Sequence, residues 1–269
     1  MNNIALFSVP RSGSTWLGQL LNSHPSVLYR FQPNFAYSFE PSLQENSTKQ
    51  EIAKFYKNLI ETTDPFVNAE ITISSKEGLH FKKETPLALV FKETHYINVV
   101  ENLIKNSDTK VVGLIRSPFS VINSWLKIPK EFDPQWKVED EWEMGQSKNQ
   151  DKPINYFGYN KWKEATELFV RLREEYPNQF YLLSYEELLK DTEGTVKKVF
   201  NFCGLNFSDQ TESFIKKSTS NAVKDDDAYS VFKSKSKDDA WKKDLPGFIA
   251  ETIKADPDFT ALNKKYNWI

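Results

Sequence analysis

Residues 4–22, IALFSVPRSGSTWLGQLLN, decide the fold of this chain. Ile4 to Val9 is a short apolar run closed by Pro10, the pattern of a buried strand. Thr15 to Asn22 follows with Trp16, Leu17, Leu20 and Leu21 on one helical face, and His24 and Pro25 stop it. The segment therefore reads strand, tight loop, helix. The first backbone N–H groups of a helix have no partner inside it, and they face outward with the positive end of its dipole. The loop Pro10-Arg11-Ser12-Gly13-Ser14-Thr15-Trp16 thus forms a cradle for an anion, with Gly13 allowing close approach or positive φ. Ser12, Ser14 and Thr15 add hydroxyls and Arg11 a fixed positive fork. The loop lacks the first glycine and the Gly-Lys pair of a nucleotide P-loop. A plain Ser-rich helix cap is the structural alternative.

Further runs repeat the alternation. Leu87–Lys92, Lys110–Ile115 and Phe180–Tyr185 read as buried strands, and Phe119–Leu126 as a helix after the second of these. Further helices are expected at Gln50–Thr62, Tyr96–Lys105, Tyr159–Glu175, Thr192–Cys203 and Ser208–Lys217. Strands alternating with helices give an α/β fold with a central parallel sheet covered on both faces, and its ligands bind beyond the carboxyl ends of the strands. The 269 residues fit one domain, 1–269, interrupted by a polar, proline-broken excursion over 128–156 that carries Trp136 and Trp142. That excursion reads equally as a lid or acceptor-binding segment and as an ordinary packed insertion.

Bulk composition narrows the function. A formal net charge of −2 provides no global basic field for nucleic acid, so any anion site is local. One cysteine, Cys203, excludes an internal disulfide and a cysteine metal cage, and fits a reducing compartment. No basic leader with an apolar stretch and no membrane-length window is present, so a soluble cytoplasmic protein is expected.

Pro10 to Pro25, PRSGSTWLGQLLNSHP, resembles the 5′-phosphosulfate loop of the sulfotransferase family. The resemblance implies a P-loop-like sulfotransferase fold. It also implies a donor, 3′-phosphoadenosine-5′-phosphosulfate (PAPS), that leaves adenosine 3′,5′-bisphosphate (3′,5′-ADP) without a metal. By this match Ser12, Gly13, Ser14 and Thr15 bind phosphate, Arg11 stabilises the leaving phosphate and Trp16 stacks on adenine. KVVGLIRSPFSVINSW, Lys110 to Trp125, is similar to the family's 3′-phosphate signature, an Arg at a strand end with a Ser eight residues on, here Arg116 and Ser124. Two phosphate sites at this separation, the first loop and this pair, are expected to select a 3′,5′-bisphosphate nucleotide over ATP. LLSYEELLKD, Leu182 to Asp191, resembles the segment whose tyrosine contacts adenine, here Tyr185. SKSKDDAWKKDLP resembles the segment whose basic residues close over the 3′-phosphate, with Lys235 and Lys237 as candidates and its usual glycine missing.

FKETHYINVVENL places His95 after a strand, like the Lys-Thr-His of soluble sulfotransferases but with one extra residue after Lys92. An imidazole titrates near neutrality and suits a general base, and Glu93 is the second candidate. VLYRFQPNF resembles the Phe-Glu-Pro segment of carbohydrate sulfotransferases, whose glutamate is replaced here by Gln32. Gln32 then either positions the acceptor or stands where a natural glutamate has been exchanged. Gln32, Trp136 and Trp142 are the acceptor-side candidates, and a saccharide or lipid-linked hydroxyl is the expected acceptor, with small phenols and amines open. The competing classes are a P-loop kinase or NTPase and a non-catalytic bisphosphonucleotide-binding protein. His24 and His80 are read as structural or surface residues.

Arg116→Ala is expected to weaken adenosine 3′,5′-bisphosphate binding in a calorimetric titration, since the phosphate loses a charge-assisted partner. Unchanged affinity removes the assignment. His95→Ala is expected to lower turnover far more than nucleotide affinity. Near-normal turnover in that variant points to another base.

Overall fold

Side chains alternate across a strand, so a strand with apolar residues at every position must be covered on both faces. The first strand, β1 (Asn2–Phe7), is such a case from Ile4 onward: Ala5 and Phe7 enter one apolar cluster, Ile4 and Leu6 the other. The computed structural model describes residues 1–36, 39, 42–70, 79–220, 230–233 and 237–269. Four further strands accompany β1: β2 (Val27–Phe31), β3 (Ala88–Glu93), β4 (Lys110–Ile115) and β5 (Phe180–Ser184). They form one sheet in the order β2-β3-β1-β4-β5, with every neighbouring pair parallel. The chain runs from β1 to the edge strand β2, back to β3 beside β1, and then across to β4 on the other side of β1, and such a switch point opens a crevice at the carboxyl ends.

Helices cover both faces of this single α/β domain. In chain order they are α1 (Ser14–Asn22), α2 (Lys49–Glu61), α3 (Val100–Asn106), α4 (Pro118–Leu126), α5 (Val138–Glu141), α6 (Gln146–Asn149) and α7 (Tyr159–Glu175). Then follow α8 (Tyr185–Lys190), α9 (Thr192–Phe202), α10 (Asp209–Thr219), α11 (Trp241–Asp244), α12 (Gly247–Ala255) and α13 (Pro257–Tyr266). α1, α9 and α10 pack with Ile4, Leu6, Val90 and Val112, while α2, α3, α4, α7, α12 and α13 pack with Phe7, Leu89, Phe91 and Val111. No helix among the described residues is long and apolar enough to cross a membrane.

The structure departs from the sequence reading at several places. Tyr185 opens α8 instead of closing β5, because Ser184 caps that helix: its hydroxyl accepts from Glu187 N–H while Glu187 reaches back to Ser184 N–H. The helix expected from Tyr96 begins as a 3-10 turn, Ile97–Val99, after Tyr96 adopts φ 56°. The excursion over 128–156 holds α5 and α6 and is anchored by buried Phe132, Trp142 and Tyr156.

The β1–α1 loop is tightly determined. Gly13 sits at φ 90°, and a Cβ there would lie 2.5 Å from two ring carbons of Tyr185. Arg11 also has positive φ, 68°, a conformation costing a non-glycine residue roughly 1 kcal/mol or more. That turn lets the Arg11 carbonyl meet the Arg116 guanidinium at 2.7 Å, tying the loop to the end of β4. Gly13→Ala is expected to destabilise the fold by about 1–3 kcal/mol in urea unfolding, through backbone strain and displacement of Tyr185. An unchanged midpoint would show the loop to be looser than this packing implies.

Candidate functional site

A cavity of about 520 Å³ opens where β1, β3 and β4 end. The loop after β1 lines it with Arg11, Gly13, Ser14 and Thr15, and α1 adds Trp16. β3 and the turn after it supply Lys92, Thr94 and His95, while Arg116 and Ser124 come from the β4–α4 unit. Tyr185, Gln32, Phe31 and Phe35 complete the inner wall.

Arg116 is held from several sides. Its Nε and Nη2 meet the two carboxylate oxygens of Asp238 at 2.7 and 2.5 Å, and its guanidinium stacks 4.6 Å over the Tyr185 ring. Burial opposes its charge, but the Asp238 hydrogen bonds and charge outweigh that and hold it above the ordinary arginine range. Ser124 does not contact Arg116 directly. Its hydroxyl accepts from Arg11 Nε at 3.2 Å, and Arg11 Nη1 lies 3.4 Å from Glu131. The two sequence-distant arginines therefore line one cavity, joined through Arg11's own carbonyl.

The end of β3 and the turn after it carry the titratable groups His95, Lys92 and Glu93. His95 stacks on Phe35 with ring centroids 4.7 Å apart and meets Phe157 edge-on at 5.8 Å. Burial, then the charges of Lys92 and Lys148, lower its pKa to about 4. The imidazole is thus neutral at physiological pH and able to accept a proton. Lys92 is buried beside it, 4.6 Å over the Phe31 ring, and burial lowers its pKa to about 8. Gln32 takes a left-handed backbone, φ 42°, which lets its N–H reach the Lys92 carbonyl and its amide donate to Thr94 Oγ1.

Several expected residues stand elsewhere. Glu93 is fully buried and does not line the cavity; its Oε1 accepts from Asn34 N–H at 2.6 Å, capping the turn after β2. Burial pushes it up to about 8. Its place as an alternative base is corrected to that of a buried turn-capping carboxyl. Trp142 stacks on Tyr159 and meets Phe248, and Trp136 packs edge-on against Phe132, so neither indole lines the cavity as an acceptor contact. Their apolar area is spent anchoring the excursion. Ser12 is fully buried, and its hydroxyl finds no hydrogen-bond partner among the described residues and does not line the cavity. Trp16 lines it, yet is almost wholly buried, with its indole N–H on Ser218 Oγ at 3.3 Å and its ring edge-on to Tyr185. Lys237 is exposed and outside the lining, Lys235 lies outside the described residues, and Ser230 and Lys233 line the cavity from the same part of the chain.

The sequence reading missed Lys92, Glu131, Lys130, Lys148, Asn155, Phe157 and Asp238. A signal existed for Lys92: it ends an apolar strand just as Arg116 follows one. The others depend on how the excursion and the C-terminal segment fold back over more than a hundred residues, as in Arg116–Asp238.

A family model described as the sulfotransferase domain matches residues 2–257. The chain belongs to the sulfotransferase family. Human sulfotransferase 2A1 is 25% identical over 227 residues, covering 81% of this chain and 65% of that protein. The sulfotransferase 2A1 of Macaca fascicularis is 26% identical over 223 residues, again 81% of this chain and 65% of the relative. The chain thus spans about 65% of the length of these curated sulfotransferases. Among solved structures, mouse sulfotransferase SULT7A1 complexed with PAP superposes with a TM-score of 0.58 at 17% identity, over 99% of this chain and 88% of that one. A retinol dehydratase in a complex with retinol and PAP gives 0.52 at 15% identity, over 93% and 78%. These likenesses show a shared sulfotransferase fold.

Glu93 gives this sulfotransferase chain a pH signature. Its folded pKa is raised, so its neutral form stabilises the fold fully below the ordinary carboxylate pKa, and that contribution is lost as pH rises through about 8. Glu93→Gln keeps the acceptor oxygen for Asn34 and cannot ionise. Its melting temperature is expected to fall less than the native chain's between about pH 4.5 and about 8. Parallel melting curves across that range would show that Glu93 is not held neutral.

Proposed function

We propose that this chain transfers the sulfuryl group of 3′-phosphoadenosine-5′-phosphosulfate to a hydroxyl acceptor by in-line displacement. The observation that carries the reading is one cavity joining the Arg11–Thr15 loop, the Arg116–Ser124 unit and the Lys92–His95 strand end. Two anion-binding stations on neighbouring strands suit a nucleotide with phosphates at both ends of its ribose. Ser14, Thr15 and the loop amides would hold the 5′-phosphate at the start of α1. Arg116, with Ser124 near it, would hold the 3′-phosphate, and Tyr185 and Trp16 would wall the adenine. Glycine at residue 13 fits a close approach, since the Tyr185 ring already fills the space of a side chain there.

In the transfer the acceptor oxygen forms a bond to sulfur as the bond from sulfur to the phosphate-bridging oxygen breaks. The acceptor proton passes to His95, whose neutral ring faces the cavity beside Phe35. Arg11 and Lys92 offset the charge that collects on the departing bisphosphate. Gln32 positions the acceptor. The Arg30-Phe31-Gln32-Pro33 segment beside aromatic Phe35 supports a ring-bearing acceptor such as a saccharide or lipid-linked hydroxyl, with an amine as the chemical alternative.

The test joins binding to transfer. Without magnesium the chain is expected to bind adenosine 3′,5′-bisphosphate at least about tenfold more tightly than ATP. Radiolabelled sulfuryl should then appear on a member of a phenol, alcohol and saccharide panel. Equal nucleotide affinities overturn the donor assignment. Tight bisphosphate binding with no label transferred to any panel member overturns the enzymatic one.

A further inference from the structure

The cavity contains cations that the donor reading leaves unused. Its lining holds Arg11, Lys92, Arg116, Lys130, Lys148 and Lys233, and Glu131 is the one carboxylate among the described lining residues. Glu131 lies on Arg11. Arg11, Lys92 and Arg116 have donor roles above. Lys233 belongs to the adenine wall: its backbone N–H bonds the carbonyl of Ser218, whose hydroxyl accepts from Trp16. Lys130 and Lys148 remain, and both come from the excursion over 128–156.

Their placement is specific. Lys148 Nζ lies 5.3 Å over the Phe157 ring and 3.3 Å from the Lys130 carbonyl. Phe157 in turn meets His95, so one aromatic ring separates the Lys148 ammonium from the imidazole. Asn149 fixes that arrangement, since its amide donates to the Phe157 carbonyl at 2.7 Å and its Oδ1 accepts from Phe157 N–H at 3.1 Å. A cation on an aromatic wall, one ring away from the proposed base, is suited to an anionic substituent on a molecule whose hydroxyl meets that base.

We propose that the acceptor is a ring-bearing hydroxyl compound carrying an anionic group, held by Lys148 with Lys130 while its body lies along Phe35 and Phe157. Lys148 is then a specificity-determining residue, and the excursion is the acceptor-selecting part of the chain. This rests on the sulfuryl-transfer reading. Carboxylate and phosphate substituents share the required charge, and they differ in size and valence. The Lys148 field also disfavours protonation of His95, and an anion paired with Lys148 offsets that field, raising the basicity of the imidazole when the correct acceptor is seated.

The experiment is a calorimetric titration of the whole chain saturated with adenosine 3′,5′-bisphosphate. The probes are 4-hydroxybenzoate, its methyl ester and 4-hydroxyphenyl phosphate. Either anion is expected to bind at least about tenfold more tightly than the ester, and the tighter of the two names the group. Lys148→Gln is expected to erase that preference and leave bisphosphate affinity within about twofold, while Lys148→Arg retains it. Equal binding of anions and ester, absent binding of all three included, overturns the proposal, as does a preference that survives in Lys148→Gln. Failure of the native chain to bind the bisphosphate overturns the donor reading together with this one, whereas bisphosphate binding without anion preference overturns this one alone.

Discussion

The guanidinium of Arg116 is the tie on which the site depends. It joins the loop after β1 through the Arg11 carbonyl, the C-terminal segment through Asp238 and the start of α8 through the Tyr185 ring. The Arg116 carbonyl accepts from the Trp162 indole at 3.0 Å, which brings in α7 as well. A buried charge is costly unless each side of it is compensated, so these contacts must form together. That mutual requirement brings four stretches of chain, far apart in sequence, to one strand tip. Gly13 completes the arrangement, because only a residue without a side chain leaves room for the ring on which the guanidinium lies.

Around that tie, burial sets the protonation states. The same desolvation lowers His95 and Lys92 and raises Glu93, three residues at the end of one strand and in the turn after it. The consequence differs by position. His95 faces the cavity with its ring neutral, Lys92 lies between the cavity and the Phe31 ring, and Glu93 points to the opposite side and caps a turn. Alternation along β3 thus puts the Lys92 side chain toward the cavity and the neighbouring Glu93 carboxyl on the other face, while His95 enters the cavity from the turn beyond the strand.

Much of this was legible in the sequence where local chemistry is strong. The β1–α1 unit announces itself by an apolar run, a glycine loop and an amphipathic helix, and Arg116 and Ser124 sit at a strand end and on the helix beyond. In the sequence β2 reads as a motif and not as a strand, since Arg30 interrupts its apolar pattern. The structure explains the interruption: Arg30 is buried and its guanidinium donates to the carbonyls of Leu59 and Ile60 at the end of α2. Trp136 and Trp142 leave both readings of the excursion open in the sequence, because a tryptophan in a polar stretch signals burial without saying against what. Asp238 left no signal, since an acidic residue in a lysine-rich run gains its meaning only from a partner 122 positions away.

The Arg116–Asp238 pair would give the proposed anion capture the character of a swap. If Arg116 takes a phosphate as proposed, that anion meets a counter-ion supplied by the polypeptide itself, the Asp238 carboxylate, and would compete with it for the guanidinium. The net gain in charge pairing at that spot is small, and binding there should respond to added salt more weakly than the number of arginines and lysines around the cavity suggests. Asp238 belongs to the stretch just before α11, so on the proposed reading that competition would link occupancy of the strand tip to the segment leading into the C-terminal helices.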